Sequence, residues 1–126
     1  MVYIPAGPFL MGNSGEGDDA AYGGASESPR HEVYLSGYWI ARDEVTRGQY
    51  RRFIEAGGYS NPAWWSAAGW EWKSANERIG PAFWAADQEW ASGQPFTQTD
   101  SHPVIGVSYH EAEAYCAWAG GRLPSE

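Results

Sequence analysis

Residues 59–103 hold Trp64, Trp65, Trp70, Trp72, Trp84 and Trp90, six of the eight tryptophans, and Pro62, Pro81, Pro95 and several glycines break that run apart. A segment so interrupted cannot continue as one long helix or strand. It must bury its rings through loops and short turns, with Ala63–Ala68 and Pro81–Ala86 as candidate helical turns. Two readings follow. In one the rings are core filler, supplying the buried area that regular elements supply elsewhere. In the other some of them line a groove for an extended peptide or a small ligand. The first carries more weight, because large rings are mostly buried wherever they occur.

The rest of the composition narrows the classes. At 126 residues the chain is one domain or part of one. Asp and Glu number 16 against 8 Lys and Arg, a net charge of −8 with no basic cluster. That argues against nucleic acid and against anionic membrane surfaces as partners. No apolar run approaches the roughly 20 residues that span a bilayer. Met1-Val2-Tyr3-Ile4-Pro5 has neither a basic n-region nor an apolar h-region, so no signal peptide is read there. The localisation is not encoded, and the cytoplasm is the favoured expectation. Cys116 is the only cysteine, which excludes an internal disulfide and any site built from several cysteines of this chain.

Hydrophobic periodicity places short elements. Val2-Tyr3-Ile4 and Phe9-Leu10-Met11 read as strands, stopped by Pro5-Ala6-Gly7-Pro8 and by Gly12. Residues 12–30 read as a polar, glycine-rich loop. His31–Leu35 alternates, and Ser36-Gly37 before Tyr38–Ala41 suggests a hairpin. Thr46 can cap a helix with Tyr50, Phe53 and Ile54 inward and Arg47, Arg51, Arg52 and Glu55 outward, ending at Gly57-Gly58. Val104–Val107 reads as a short buried strand. Ser108 and Glu111 form a capping box for a helix with Ala112, Tyr115, Cys116 and Ala119 inward, ending at Gly120-Gly121. Two such helices are too few to cover both faces of a parallel sheet, so the fold class is α+β with much irregular structure.

No complete active site emerges from these residues. His31, His102 and His110 lack a second His at metal-ligand spacing, and Ala114 stands where the second His of H-E-x-x-H would be. Cys116 has no basic neighbour to activate it and reads as a small hydrophobe. Ser108 reads as a cap, without the G-x-S-x-G elbow. Glu16, Asp18, Asp19 and Glu27 lack the spacing of a calcium loop and read as solvated. No catalytic residue and no metal ligand is assigned, and the residues of any substrate groove stay unknown.

Five segments in order carry a resemblance. They are Ile4-Pro5-Ala6-Gly7-Pro8-Phe9-Leu10-Met11-Gly12, Glu27-Ser28-Pro29-Arg30-His31-Glu32-Val33, Glu44-Val45-Thr46-Arg47-Gly48-Gln49-Tyr50, His102-Pro103-Val104-Ile105-Gly106-Val107-Ser108-Tyr109 and Glu113–Glu126. Together they resemble the formylglycine-generating enzyme, or sulfatase-modifying factor, family. Tyr109 stands where the family usually has Trp, and Ser125 where it often has Thr. The resemblance implies a partial C-type-lectin-like fold. It implies that residues 1–126 are the N-terminal part of one such domain, truncated at Arg122–Glu126, where Pro124-Ser125-Glu126 looks like the start of a further helix. Residues 59–101 would be a variable Trp-rich insert within it.

The resemblance also implies an oxidoreductase that acts with molecular oxygen on a protein cysteine or a related small substrate. Copper and calcium would be held in the C-terminal half, with no cofactor inside this chain. Two alternatives share the scaffold. One is a non-catalytic ligand-binding module, taking a peptide or small molecule. The other is the scaffold domain of a sulfoxide-synthase-type iron enzyme. On this reading the isolated chain is inactive and of low stability, and an exposed aromatic half-core favours self-association.

Overall fold

The computed structural model describes residues 1–85 and 98–125. They fall into two compact units, Met1–Asp43 and Glu44–Glu126. The described elements are mixed α and β with two small two-stranded sheets, consistent with the α+β expectation.

In the first unit β1 (Val2–Ile4) pairs antiparallel with β4 (Tyr38–Ile40), and β2 (Gly7–Met11) pairs antiparallel with β3 (His31–Leu35). Ile4 lies opposite Tyr38 and Gly7 opposite Leu35, so both ladders keep one register. They form a single long ribbon interrupted at Pro5-Ala6 and Ser36-Gly37. The expected hairpin of β3 with β4 is therefore wrong. These strands run on end to end along the same side, and Ser36-Gly37 is a jog. Pro5 brings no N–H to the ladder, which breaks there. Gly37 makes room opposite, since a Cβ on it would lie 2.3 Å from the Tyr3 hydroxyl oxygen.

The reversal is made by residues 12–30, which are more ordered than the loop expected of them. They contain α1 (Gly17–Tyr22) and a 3-10 turn at Ala25–Glu27. Buried Asn13 ties the segment together. Its backbone N–H donates to the Glu27 carbonyl at 2.7 Å, and its side chain donates to the Asp19 carbonyl at 2.9 Å.

In the second unit α2 (Arg47–Glu55) is capped by Thr46 as expected, with Thr46 Oγ1 accepting from the Gln49 N–H and Gln49 answering in a capping box. Tyr50 and Phe53 are fully buried and Ile54 is half-buried. Arg47 corrects the expectation of a wet face, for it is buried. Its guanidinium lies 4.4 Å above the Trp84 ring, and its Nη2 donates to the Trp84 carbonyl at 2.7 Å. At the first turn of a helix a long side chain can turn aside onto a neighbouring loop, and a cation gains by lying on an aromatic face.

The expected turn at Ala63–Ala68 resolves into a 3-10 turn at Pro62–Trp64 followed by α3 (Ala67–Ala75), capped by Ser66. Of Pro81–Ala86, the described part shows turn and bend without a helix, and residue 86 lies outside the described residues, as does Trp90. Val104–Val107 is half-buried but forms no strand, since the ladder there is one bridge between Thr46 and Pro103. Gly106 explains this. It has φ +71°, and a Cβ on it would come within 2.1 Å of the Ala82 carbonyl oxygen. Gly106→Ala is therefore expected to cost about 1–3 kcal/mol from backbone strain alone. A denaturant midpoint equal to that of the parent chain would contradict the close approach.

The last described helix, α4 (Tyr109–Trp118), starts at the expected capping box of Ser108 and Glu111. Its inward face differs from the expectation. Glu111 and Ala114 are fully buried, and Tyr115 and Trp118 pack on the core beside them. Tyr50, Phe53, Tyr59, Trp65 and Ala114 form that core, with Trp64, Trp70 and Trp84 packed against it. Within the insert, Trp64, Trp65, Trp70 and Trp84 thus contribute to the core, in line with the filler reading, while Trp72 lies outside that cluster.

Candidate functional site

The most organised polar chemistry among the described residues lies inside the aromatic core, where α4 begins. The turn after α2 builds it. Gly57 takes φ +77°, and a Cβ on Gly58 would lie 2.2 Å from the Phe53 ring, so the chain folds tightly over Phe53 and delivers Tyr59 inward. The Gly58 carbonyl then accepts from the Trp65 indole N–H at 2.8 Å.

Glu111 is fully buried, and its carboxylate has partners on both oxygens. Oε2 accepts from the Ser108 backbone N–H at 2.8 Å. Oε1 accepts from the Tyr59 hydroxyl at 2.7 Å. Arg78 Nε lies 3.5 Å from the same oxygen, an ion pair without a hydrogen bond. The Tyr50 hydroxyl is 3.1 Å from the Tyr59 hydroxyl and donates toward the Glu111 carbonyl at 3.3 Å. Each phenol has one proton. With the Tyr59 proton given to the carboxylate, the single Tyr50 proton is shared between the Glu111 carbonyl and the Tyr59 oxygen. The position at the first turn of α4 also favours a negative charge.

Burial pushes the phenols of Tyr50 and Tyr59 well above the ordinary tyrosine range, and the Glu111 charge adds to both shifts. Burial also raises Tyr115. Groups whose pKa is higher in the folded state give stability that is whole below the unfolded value of about 10 and is lost as pH rises above it. Unfolding is therefore expected to begin above about pH 10, with the phenolate absorbance of these three tyrosines appearing together with the loss of tertiary structure. Their ionisation in a chain that stays folded would contradict the burial.

The residues singled out in the sequence are scattered. His31 is exposed, with Nδ1 3.0 Å from the Pro29 carbonyl oxygen. The exposed His102 accepts on Nδ1 from the Thr99 N–H at 3.2 Å. His110 is half-buried between the Trp72 and Tyr109 rings, at centroid distances of 5.5 and 5.6 Å. Cys116 is half-buried and burial raises its thiol, the reverse of an activated nucleophile. Ser108 acts as the cap. In the first unit, hydrogen bonds from Ser14 and then the Arg30 charge hold the Asp19 carboxyl below its usual range. Glu27 accepts from the Gly24 N–H.

Among the described residues no three His, Cys, Asp or Glu side chains are grouped to hold a metal ion. The lone thiol of Cys116 is half-buried, and the chain has no second thiol. No helix among the described residues is long and apolar enough to cross a membrane.

Sequence reasoning missed Tyr59, Arg78 and the burial of Glu111. A signal for Glu111 was present: 111, 114, 115 and 118 are spaced i, i+3, i+4, i+7, which is one helix face. The capping box by itself accounts for Glu111, and only the helix face it shares with Ala114, Tyr115 and Trp118 marks it as a core position.

Comparison with known proteins places these residues in context. The model of the sulfatase-modifying factor enzyme 1-like domain matches residues 1–126. A hercynine oxygenase of Mycolicibacterium smegmatis is 37% identical over 126 residues, covering 99% of this chain and 29% of the relative. A formylglycine-generating enzyme of Thermomonospora curvata is 36% identical, covering 100% of this chain and 46% of the relative. An inactive C-alpha-formylglycine-generating enzyme 2 of Mus musculus is 32% identical, with 100% and 44% covered. The chain spans less than half the length of each.

Proposed function

Because the chain belongs to the sulfatase-modifying factor enzyme 1-like family, we propose that it is the N-terminal part of a lectin-like domain in an oxidoreductase that uses molecular oxygen. The match along all 126 residues carries this reading. Residues 1–126 supply scaffold. The reacting groups, and the copper and calcium sites that the family resemblance implies, belong on this reading to the remainder of the domain. The core around Phe53 and Glu111 holds that scaffold, and residues 59–101 are its variable Trp-rich insert, which also lends Tyr59 and Trp65 to the core.

The identities favour one branch. Hercynine oxygenases match at 37 and 40%, against 36% for the bacterial formylglycine-generating enzyme. The substrate is then a small molecule of the hercynine kind, oxygenated together with a thiol at an iron centre held elsewhere in the protein. The second reading, a non-catalytic binding module for a peptide or small ligand, takes its support from the relative named inactive.

The test uses the full-length protein. Oxygen uptake with iron(II), hercynine and a thiol is compared with uptake with copper and a cysteine-containing peptide, and products are identified by mass. Uptake in the first mixture alone is expected. Uptake in the second alone moves the protein to the peptide-oxidising branch, and uptake in neither supports the binding module.

The first unit adds a partner proposal. Tyr3, Phe9, Leu10, Tyr34 and Trp39 on the ribbon are all exposed. A two-stranded ribbon with so much apolar surface needs cover. In the isolated chain, self-association through these residues provides it. Sedimentation should show a concentration-dependent dimer or larger species, and a strictly monomeric chain would contradict this.

A further inference from the structure

Packing asks for rings; it does not ask for hydroxyls and indoles. The core cluster holds one Phe, Phe53, among Tyr50, Tyr59, Trp65, Trp84, Tyr115 and Trp118. Phenylalanine would bury as much apolar area at the tyrosine positions without a buried O–H to satisfy. Here the O–H of Tyr59 is aimed at a buried carboxylate.

We propose that Tyr59 is a redox-active tyrosine, with Glu111 as the acceptor of its phenolic proton and the touching Trp and Tyr rings as its electron path. From Tyr59 the path runs to Trp65 at 5.4 Å and on to half-buried Trp70 at 6.3 Å between ring centroids. On the other side it crosses the 3.1 Å hydroxyl contact to Tyr50, then Tyr115 at 5.1 Å and Trp118 at 5.8 Å. Each ring separation lies in the contact range of aromatic pairs.

A strong one-electron oxidant takes one electron from the outer ring of the path. The vacancy moves inward until Tyr59 gives up an electron along the path and its proton to Glu111 Oε1. The products are a neutral tyrosyl radical, a neutral carboxylic acid and the oxidant reduced by one electron. Return of one electron sends the proton back. Burial disfavours the phenolate, so the proton must leave with the electron. The protonated Glu111 then donates back to the Tyr59 oxygen it lies 2.7 Å from, with the Tyr50 hydroxyl 3.1 Å away on the other side, and so holds the radical oxygen in place. In the whole protein, and resting there on the oxygen-using reading above, the oxidant is one derived from oxygen, and the relay drains oxidising equivalents that escape productive chemistry.

The test supplies its own oxidant, so it stands apart from that reading. In the 126-residue chain carrying Cys116→Ser and Ala117→Cys, a ruthenium polypyridyl photosensitiser is attached at the new thiol on the exposed side of α4. It is flashed in the presence of an electron acceptor. A neutral tyrosyl radical is expected by electron paramagnetic resonance and transient absorption. Tyr59→Phe, shown to be folded by near-ultraviolet circular dichroism, should lose it. Glu111→Gln keeps a hydrogen-bond acceptor and should slow its appearance. If Tyr59→Phe fails to fold, the high-field g-tensor of the parent radical decides, because it senses a hydrogen bond donated to the radical oxygen. An unchanged signal in Tyr59→Phe, or a parent radical confined to exposed rings such as Tyr109, overturns the proposal.

Discussion

Glu111→Ala is expected to destabilise the second unit by about 2–5 kcal/mol, since each buried donor left unsatisfied costs roughly 1–3 kcal/mol. The change leaves the Tyr59 hydroxyl, the Ser108 N–H and Arg78 without the carboxylate they share. Against a typical total of about 5–15 kcal/mol this is a large fraction, so near-ultraviolet circular dichroism should show loss of tertiary structure at low denaturant. Glu111→Gln keeps an acceptor for Tyr59 but turns its amide toward the Ser108 N–H or toward Arg78, and should fall between the parent and Ala. A midpoint for the Ala variant within about 0.5 kcal/mol of the parent would mean that the network holds nothing together.

The second large effect is expected at Phe53. Its ring is fully buried and sits 5.5 to 5.9 Å from the rings of Tyr50, Tyr59, Tyr115 and Trp118. Gly58 closes over it, so the chain around it has little freedom to collapse into a void. Phe53→Ala should therefore cost about 3–5 kcal/mol, the range for truncating a buried aromatic. Phe53→Leu retains much of the volume and should cost clearly less. Equal losses for the two variants would contradict a cavity origin.

What was legible in the sequence follows from the range of the forces involved. Thr46 and Ser108 were readable as caps because a cap is satisfied within three residues of itself. Tyr50 and Phe53 were readable because α2 is amphipathic over its own length. Arg47 was not, because its burial depends on Trp84, 37 positions away along the chain. The strand positions were legible and their partners were not. Alternation fixes which residues are extended, but pairing of β2 with β3 is decided by how residues 12–30 reverse the chain. Glu111 shows the same limit within one residue, since its capping role is local and its core role needs Tyr59 and Arg78 from a distant turn. The family was legible because five motifs recur in order, and the chemistry was not, because no residue spacing in the sequence matches a recognisable set of reacting groups.

The proposal with the widest consequences is that residues 1–126 are scaffold for chemistry done by other parts of the protein. Oxygen consumption measures this most directly. The 126-residue chain and the full-length protein are each supplied in turn with iron(II) plus hercynine and a thiol, and with copper plus a cysteine-containing peptide. Uptake above background is expected from the full-length protein in one of these mixtures, and from the 126-residue chain in neither. Substrate-dependent uptake by the 126-residue chain, with oxidised product detected by mass, would contradict it.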